Sequence, residues 1–140
     1  MERIAIRALE LPDSRNPERL LQWFCAVLGL SSDEEGSIEK NILRELVSHA
    51  QISEGISSSE LTVGSDMARS TVIYHLNRFI EIGVAVKRGR KYYLRANEMS
   101  KVIEELEYDI DREMQRIFDI AKEFDRMMET KTKVKRAKKG

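Results

Sequence analysis

The chain has 140 residues, 41% of them hydrophobic and 34% charged, with 24 basic against 24 acidic side chains and only 7 Gly and 2 Pro. That composition fits one helix-rich globular domain with an appendage and excludes a disordered protein. One cysteine, Cys25, and 2 histidines exclude a disulfide framework and a multi-cysteine metal site, and no apolar run approaches the roughly 20 residues of a membrane span. The opening MERIAIRALEL lacks the apolar core of a signal peptide, so a reducing cytoplasm is the expected location.

The balanced total hides a segregation of sign. Residues 1–65 carry 6 basic and 11 acidic side chains, 66–95 carry 7 and 2, 96–130 carry 5 and 11, and 131–140 carry 6 and none.

In chain order, Ile4, Ile6 and Ala8 alternate with Arg3, Ala5 and Arg7, which predicts a short strand. Asn16 as N-cap, Pro17 at the first helical position and Glu18 in the first turn then open a helix whose Leu20, Leu21, Phe24, Val27 and Leu28 share one face. Trp23 and Cys25 read as packing residues beside that stripe. A polar break, SSDEEGS at 31–37, precedes a second amphipathic helix marked by Ile38, Ile42, Leu43, Leu46 and Val47, with His49 in its last turn and Gly55 as its stop signal.

Ser57-x-x-Glu60 is a capping box that starts a very short helix at Ser58. The following helix, about 68–82, puts Val72, Leu76 and Phe79 on one stripe with His75 on its flank as a packing histidine. Its other side displays Ser70, Thr71, Tyr74, Asn77 and Arg78, and its single acid, Glu81, comes last. Base edges and phosphates reward such donors and repel carboxylates. VAVKRGRKYYLR predicts a hairpin in which Val84 and Val86 share one face, Tyr92 and Leu94 another, and Arg88-Gly89 makes the turn. From Glu98 to about Glu129 a Gly- and Pro-free helix repeats apolar residues at heptad spacing, Met99, Ile103, Leu106, Ile110, Ile117, Ile120, Phe124 and Met127, broken at Glu113. A seam that long calls for a partner helix, and the basic KTKVKRAKKG tail reads as disordered.

Helix, capped short helix, polar-faced helix and basic-tipped hairpin follow one another in the order of a winged helix-turn-helix. The residues GISSSEL, ARSTVIYHLNRFIEIGVAV and RGRKYYL resemble the archaeal and bacterial winged-helix regulators of the ArsR type over about residues 38–95. Two features depart from that pattern. Ala68 stands where a capping Ser is usual, leaving Ser65 or Asp66 to cap, and the thiol-rich metal-sensing motif is missing, which argues against a thiolate sensor.

The expected fold is therefore mainly α with a small β-hairpin wing: an N-terminal extension (1–36), a winged helix-turn-helix (37–96), a coiled-coil-like dimerisation helix (97–130) and a disordered tail (131–140). The expected function is a homodimeric regulator that binds double-stranded DNA, with no cofactor, metal, membrane or catalytic role. DNA contacts are expected from Arg69, Ser70, Thr71, Tyr74, Asn77 and Arg78 on the third helix and from Lys87, Arg88, Arg90 and Lys91 on the wing. Dimerisation falls to Ile103, Leu106, Ile110, Ile117, Ile120, Phe124 and Met127. The alternative is a winged-helix protein-interaction module whose heptads bind another protein. The sequence names no effector, target or sign of regulation.

Overall fold

The computed structural model describes residues 2–31 and 37–139. Most of the break expected at 31–37 lies outside the described residues. The order is α1 (Pro17–Val27), α2 (Ser37–Gln51), β1 (Ile56–Ser57), α3 (Ser58–Val63), α4 (Arg69–Ile82), β2 (Ala85–Arg88), β3 (Lys91–Leu94) and α5 (Met99–Lys139). The protein is mainly helical, with one small antiparallel sheet in the order β1-β3-β2.

Contacts divide the chain into two compact units, Met1–Leu106 and Glu107–Gly140. In the first, the core takes Cys25, Leu28 and Leu30 from in and after α1, Ile42, Leu43 and Leu46 from α2, and Val72, Leu76, Phe79 and Ile82 from α4. Tyr92 and Leu94 of β3 and Val102 and Leu106 of α5 complete it. This core draws on residues before and after the boundaries expected at 36 and 96. Phe79 is its largest fully buried side chain.

Helix starts follow local chemistry. Asn16 accepts the Arg19 amide at 2.9 Å, with Pro17 at the first helical position. Ser57 accepts the Glu60 amide at 3.1 Å and its hydroxyl donates to Glu60 Oε1 at 3.2 Å, so the box closes on itself. The stop of α2 lies earlier than Gly55: the helix ends at Gln51 and Ser53 takes a left-handed φ of 57°.

Five local expectations need correction. Residues 2–12 form no strand: the Glu2 and Arg3 amides donate to Glu81 O and the Arg7 amide to Val27 O, single tethers to helix-end carbonyls rather than a ladder. In the hairpin, Arg88 pairs with Lys91, which makes Gly89-Arg90 the two-residue turn. Gly89 has φ +64° and Arg90 does not share a positive φ, the pattern of a type II′ turn with glycine first. Val84 precedes β2, so the buried strand face begins at Ala85, and Val86 lies opposite Tyr93 on the other face. Of the residues expected in a dimer seam, Leu106 is buried in the core of the first unit, at 3% exposed, and Ile103 lies half-buried against that core. Finally, 131–139 is helical: with no Gly or Pro before Gly140, nothing in α5 stops propagation.

Candidate nucleic-acid interface

Helix α4 separates its two sides at 100° per residue. Val72, Leu76, Phe79 and Ile82 are buried, whereas Arg69, Ser70, Tyr74 and Asn77 are exposed, Tyr74 at 59%. Thr71 and Arg78 are half-buried on the margin. Ala68 provides no side-chain cap, and Ser65, expected to supply one, instead accepts the Met67 amide and donates to Thr62 O. The amides of Arg69 and Ser70 are therefore left to solvent at the positive end of the helix dipole.

On one flank, α4 and the hairpin enclose a groove of about 440 Å³ lined by Arg69, Ile73 and Asn77 of α4, Lys87 and Tyr92 of the strands, Arg90 of the turn, and Ser57, Ser58 and Ser59 at the start of α3. Tyr92 is buried beneath it and Lys87 Nζ lies 5.4 Å from its ring centroid. The serines and Tyr92 are site residues that sequence reasoning missed. Three consecutive serines read as helix-start residues, and only the β1–β3 pairing, Ile56 with Tyr92 and Ser57 with Lys91, brings them beside the hairpin.

The strand register divides the four hairpin cations. Lys87 lies opposite Tyr92 and its side faces the groove, while Arg88 and Lys91 pair on the other face, where Arg88 lies 5.6 Å over the Tyr93 ring. The structure thus gathers Lys87 and Arg90 with Arg69 and leaves Arg88 and Lys91 outside that group. None of these five cations has an acidic partner among the described residues.

Arg78 has a different task. Its Nη2 donates to Gly29 O at 2.9 Å, tying α4 to the turn after α1. Gly29 has φ +72°, and a Cβ there would come within 2.6 Å of Ala5, so this approach needs glycine. His75 packs on the flank of the stripe, with Nδ1 at 3.4 Å from Glu39 Oε1 in a largely buried pair, but the hydrogen bond expected of a packed histidine is not made at Nδ1 among the described residues.

Elsewhere, Arg44 donates to Glu18, Nε to Oε1 at 2.8 Å, and holds that carboxyl below its ordinary range. Burial, with help from the Glu39 charge, pushes the Cys25 thiol up to about 12, which disarms it as a nucleophile. Among the described residues no cluster of three or more His, Cys, Asp or Glu is placed to hold a metal ion, and no helix is long and apolar enough to cross a membrane.

In the second unit, Ile117, Ile120, Phe124 and Met127 are exposed at 58–65%, and Met114, Phe118 and Met128 add to the same stretch. Ile110 is half-buried. Intrahelical ion pairs join Arg112 to Asp109, which is buried, and Arg116 to Glu113.

No family model, curated protein or solved structure matches this chain.

Proposed function

We infer that the chain is a winged helix-turn-helix regulator that binds double-stranded DNA as a homodimer. Helix α4 enters the major groove with Ser70, Tyr74 and Asn77 toward base edges, and the β2–β3 tip lies on the backbone or in the minor groove. One observation carries this reading: Arg69, Lys87 and Arg90, three cations without acidic partners, line one groove beside a helix face that displays hydrogen-bonding side chains and no acid before Glu81. Desolvating a phosphate there breaks no existing ion pair, and each neutralised phosphate releases counterions. The element order α2-β1-α3-α4-β2-β3 and the sheet order β1-β3-β2 support the same reading.

The test is selection of bound duplexes from a random pool, followed by a mobility shift at several salt concentrations. Enrichment of one motif with dyad symmetry is expected. A pool that stays random and a duplex that fails to shift even at low salt would refute the reading and leave the protein-interaction module.

A further inference from the structure

We propose that α5 docks on α5 of a second copy in antiparallel orientation, centred near residue 119. The proposal rests on the homodimer reading above and adds its orientation and register.

Two independent patterns on one helix lead there. The first is apolar. Ile110, Met114, Ile117, Ala121, Phe124 and Met128 repeat at steps of 4 and 3, and Met114, Ile117, Phe124 and Met128 are about half or more exposed. An antiparallel pair matches each position at one end of a stripe with its mirror at the other. When the paired residue numbers sum to 238, the layers become Ile110 with Met128, Met114 with Phe124, and Ile117 with Ala121. Every layer is apolar, and the smallest residue faces a branched one at the centre. The seam with Glu113 expected from the bare sequence gives nearly the same centre but buries that carboxylate, which already pairs with Arg116 at 3.0 Å.

The second pattern is electrostatic. Residues 104–111 hold Glu104, Glu105, Glu107, Asp109 and Asp111, of which Glu105 pairs with Arg95 and Asp109 with Arg112, so Glu104, Glu107 and Asp111 carry the acidic charge of the block, and 131–136 hold Lys131, Lys133, Lys135 and Arg136 without one acid. A parallel pair sets each of these blocks against its own copy, so both ends repel. The antiparallel register lays 131–136 opposite 102–107 of the second copy, where Glu104 and Glu107 are exposed. The charge pattern thus selects the antiparallel orientation, and the apolar pattern, read separately, sets the register within it. Pairing of this kind is specified by attraction in one orientation and repulsion in the other.

Site-directed disulfides in the full-length chain test it. Met114→Cys and Phe124→Cys are made separately, and the buried Cys25 is left in place. In the proposed pair, two copies of residue 114 are separated by about 15 Å along the axis, 10 residues at about 1.5 Å each, beyond disulfide reach. Each variant alone should stay unlinked under mild oxidation, and an equimolar mixture should give the mixed disulfide. Self-linking of either variant would overturn the proposal in favour of parallel pairing. A dimer by light scattering with no mixed disulfide would overturn it as well.

Charge reversal gives a second readout that leaves the three apolar layers unchanged. Lys131→Glu with Lys135→Glu should raise the dimer dissociation constant at least tenfold at low salt, whereas tighter association would mean parallel pairing. A monomer at micromolar concentration would remove both this proposal and the homodimer half of the function, while the DNA shift would still report separately on the α4 and hairpin surface.

Discussion

Two double variants with the same change of charge separate the grooved cations from the rest of the hairpin tip. Lys87→Ala with Arg90→Ala empties the groove of its hairpin charges, whereas Arg88→Ala with Lys91→Ala removes two cations from outside it. Each phosphate contact contributes about −0.9 to the slope of log K against log salt, so losing two per copy, four per dimer, flattens that slope by about 3.6. Between 50 and 200 mM salt, a difference of that size is about a 150-fold smaller loss of affinity. Fluorescence anisotropy with a selected duplex and a random one measures it, with melting curves to confirm that the loss of Lys87 beside the Tyr92 ring leaves the fold intact. The groove variant should show most of the flattening on both duplexes, and the Arg88 and Lys91 variant markedly less. Equal flattening from both variants would refute the groove as the phosphate site and reduce the tip to a diffuse charge.

Further outcomes follow from the same geometry. Asn77→Ala should cost about 1–3 kcal/mol on the preferred sequence and little on random DNA, seen as relaxed specificity in a repeated selection. Arg78→Ala should lower stability by about 1 kcal/mol, a charge-assisted hydrogen bond discounted for its half-exposure, and leave the selected motif unchanged; urea unfolding and selection together check this. Cys25 should resist a disulfide reagent at pH 8 and react once the protein is unfolded. Its raised pKa also means that, above the ordinary value of 9.0, the unfolded chain loses a proton that the folded chain keeps until about 12, so stability to urea should decline as pH rises through that window.

Signals contained within a few residues were readable in advance. Asn16 and Pro17 start α1, Ser57 and Glu60 start α3, and the apolar spacing of α2 and α4 marks their buried faces, because caps and helical periodicity are local properties. What escaped depends on distant partners. Ile56 and Ser57 are a strand only because β3 lies alongside them, and without that pairing the serines have no groove to line. Ile4 and Ile6 alternate as a strand would, yet the backbone of that segment bonds only to single carbonyls at the ends of helices and meets no strand. Arg78 sits at a surface angle on the wheel, but Gly29, 49 residues away, holds its side chain. Leu106 obeys the heptad repeat equally well whether a second helix or the first unit's own core receives it. Spacing alone does not distinguish the two receivers.

The bond from Arg78 to Gly29 also sets a rule for testing the specificity proposed for α4. A combinatorial library over α4 would naturally include every polar position of the helix. The structure divides them: Ser70, Tyr74 and Asn77 are exposed, whereas Arg78 fastens α4 to the α1 turn and His75 lies against Glu39. A library that randomises all of them mixes losses of stability with changes in binding, whereas one confined to the exposed three reports on the proposed recognition.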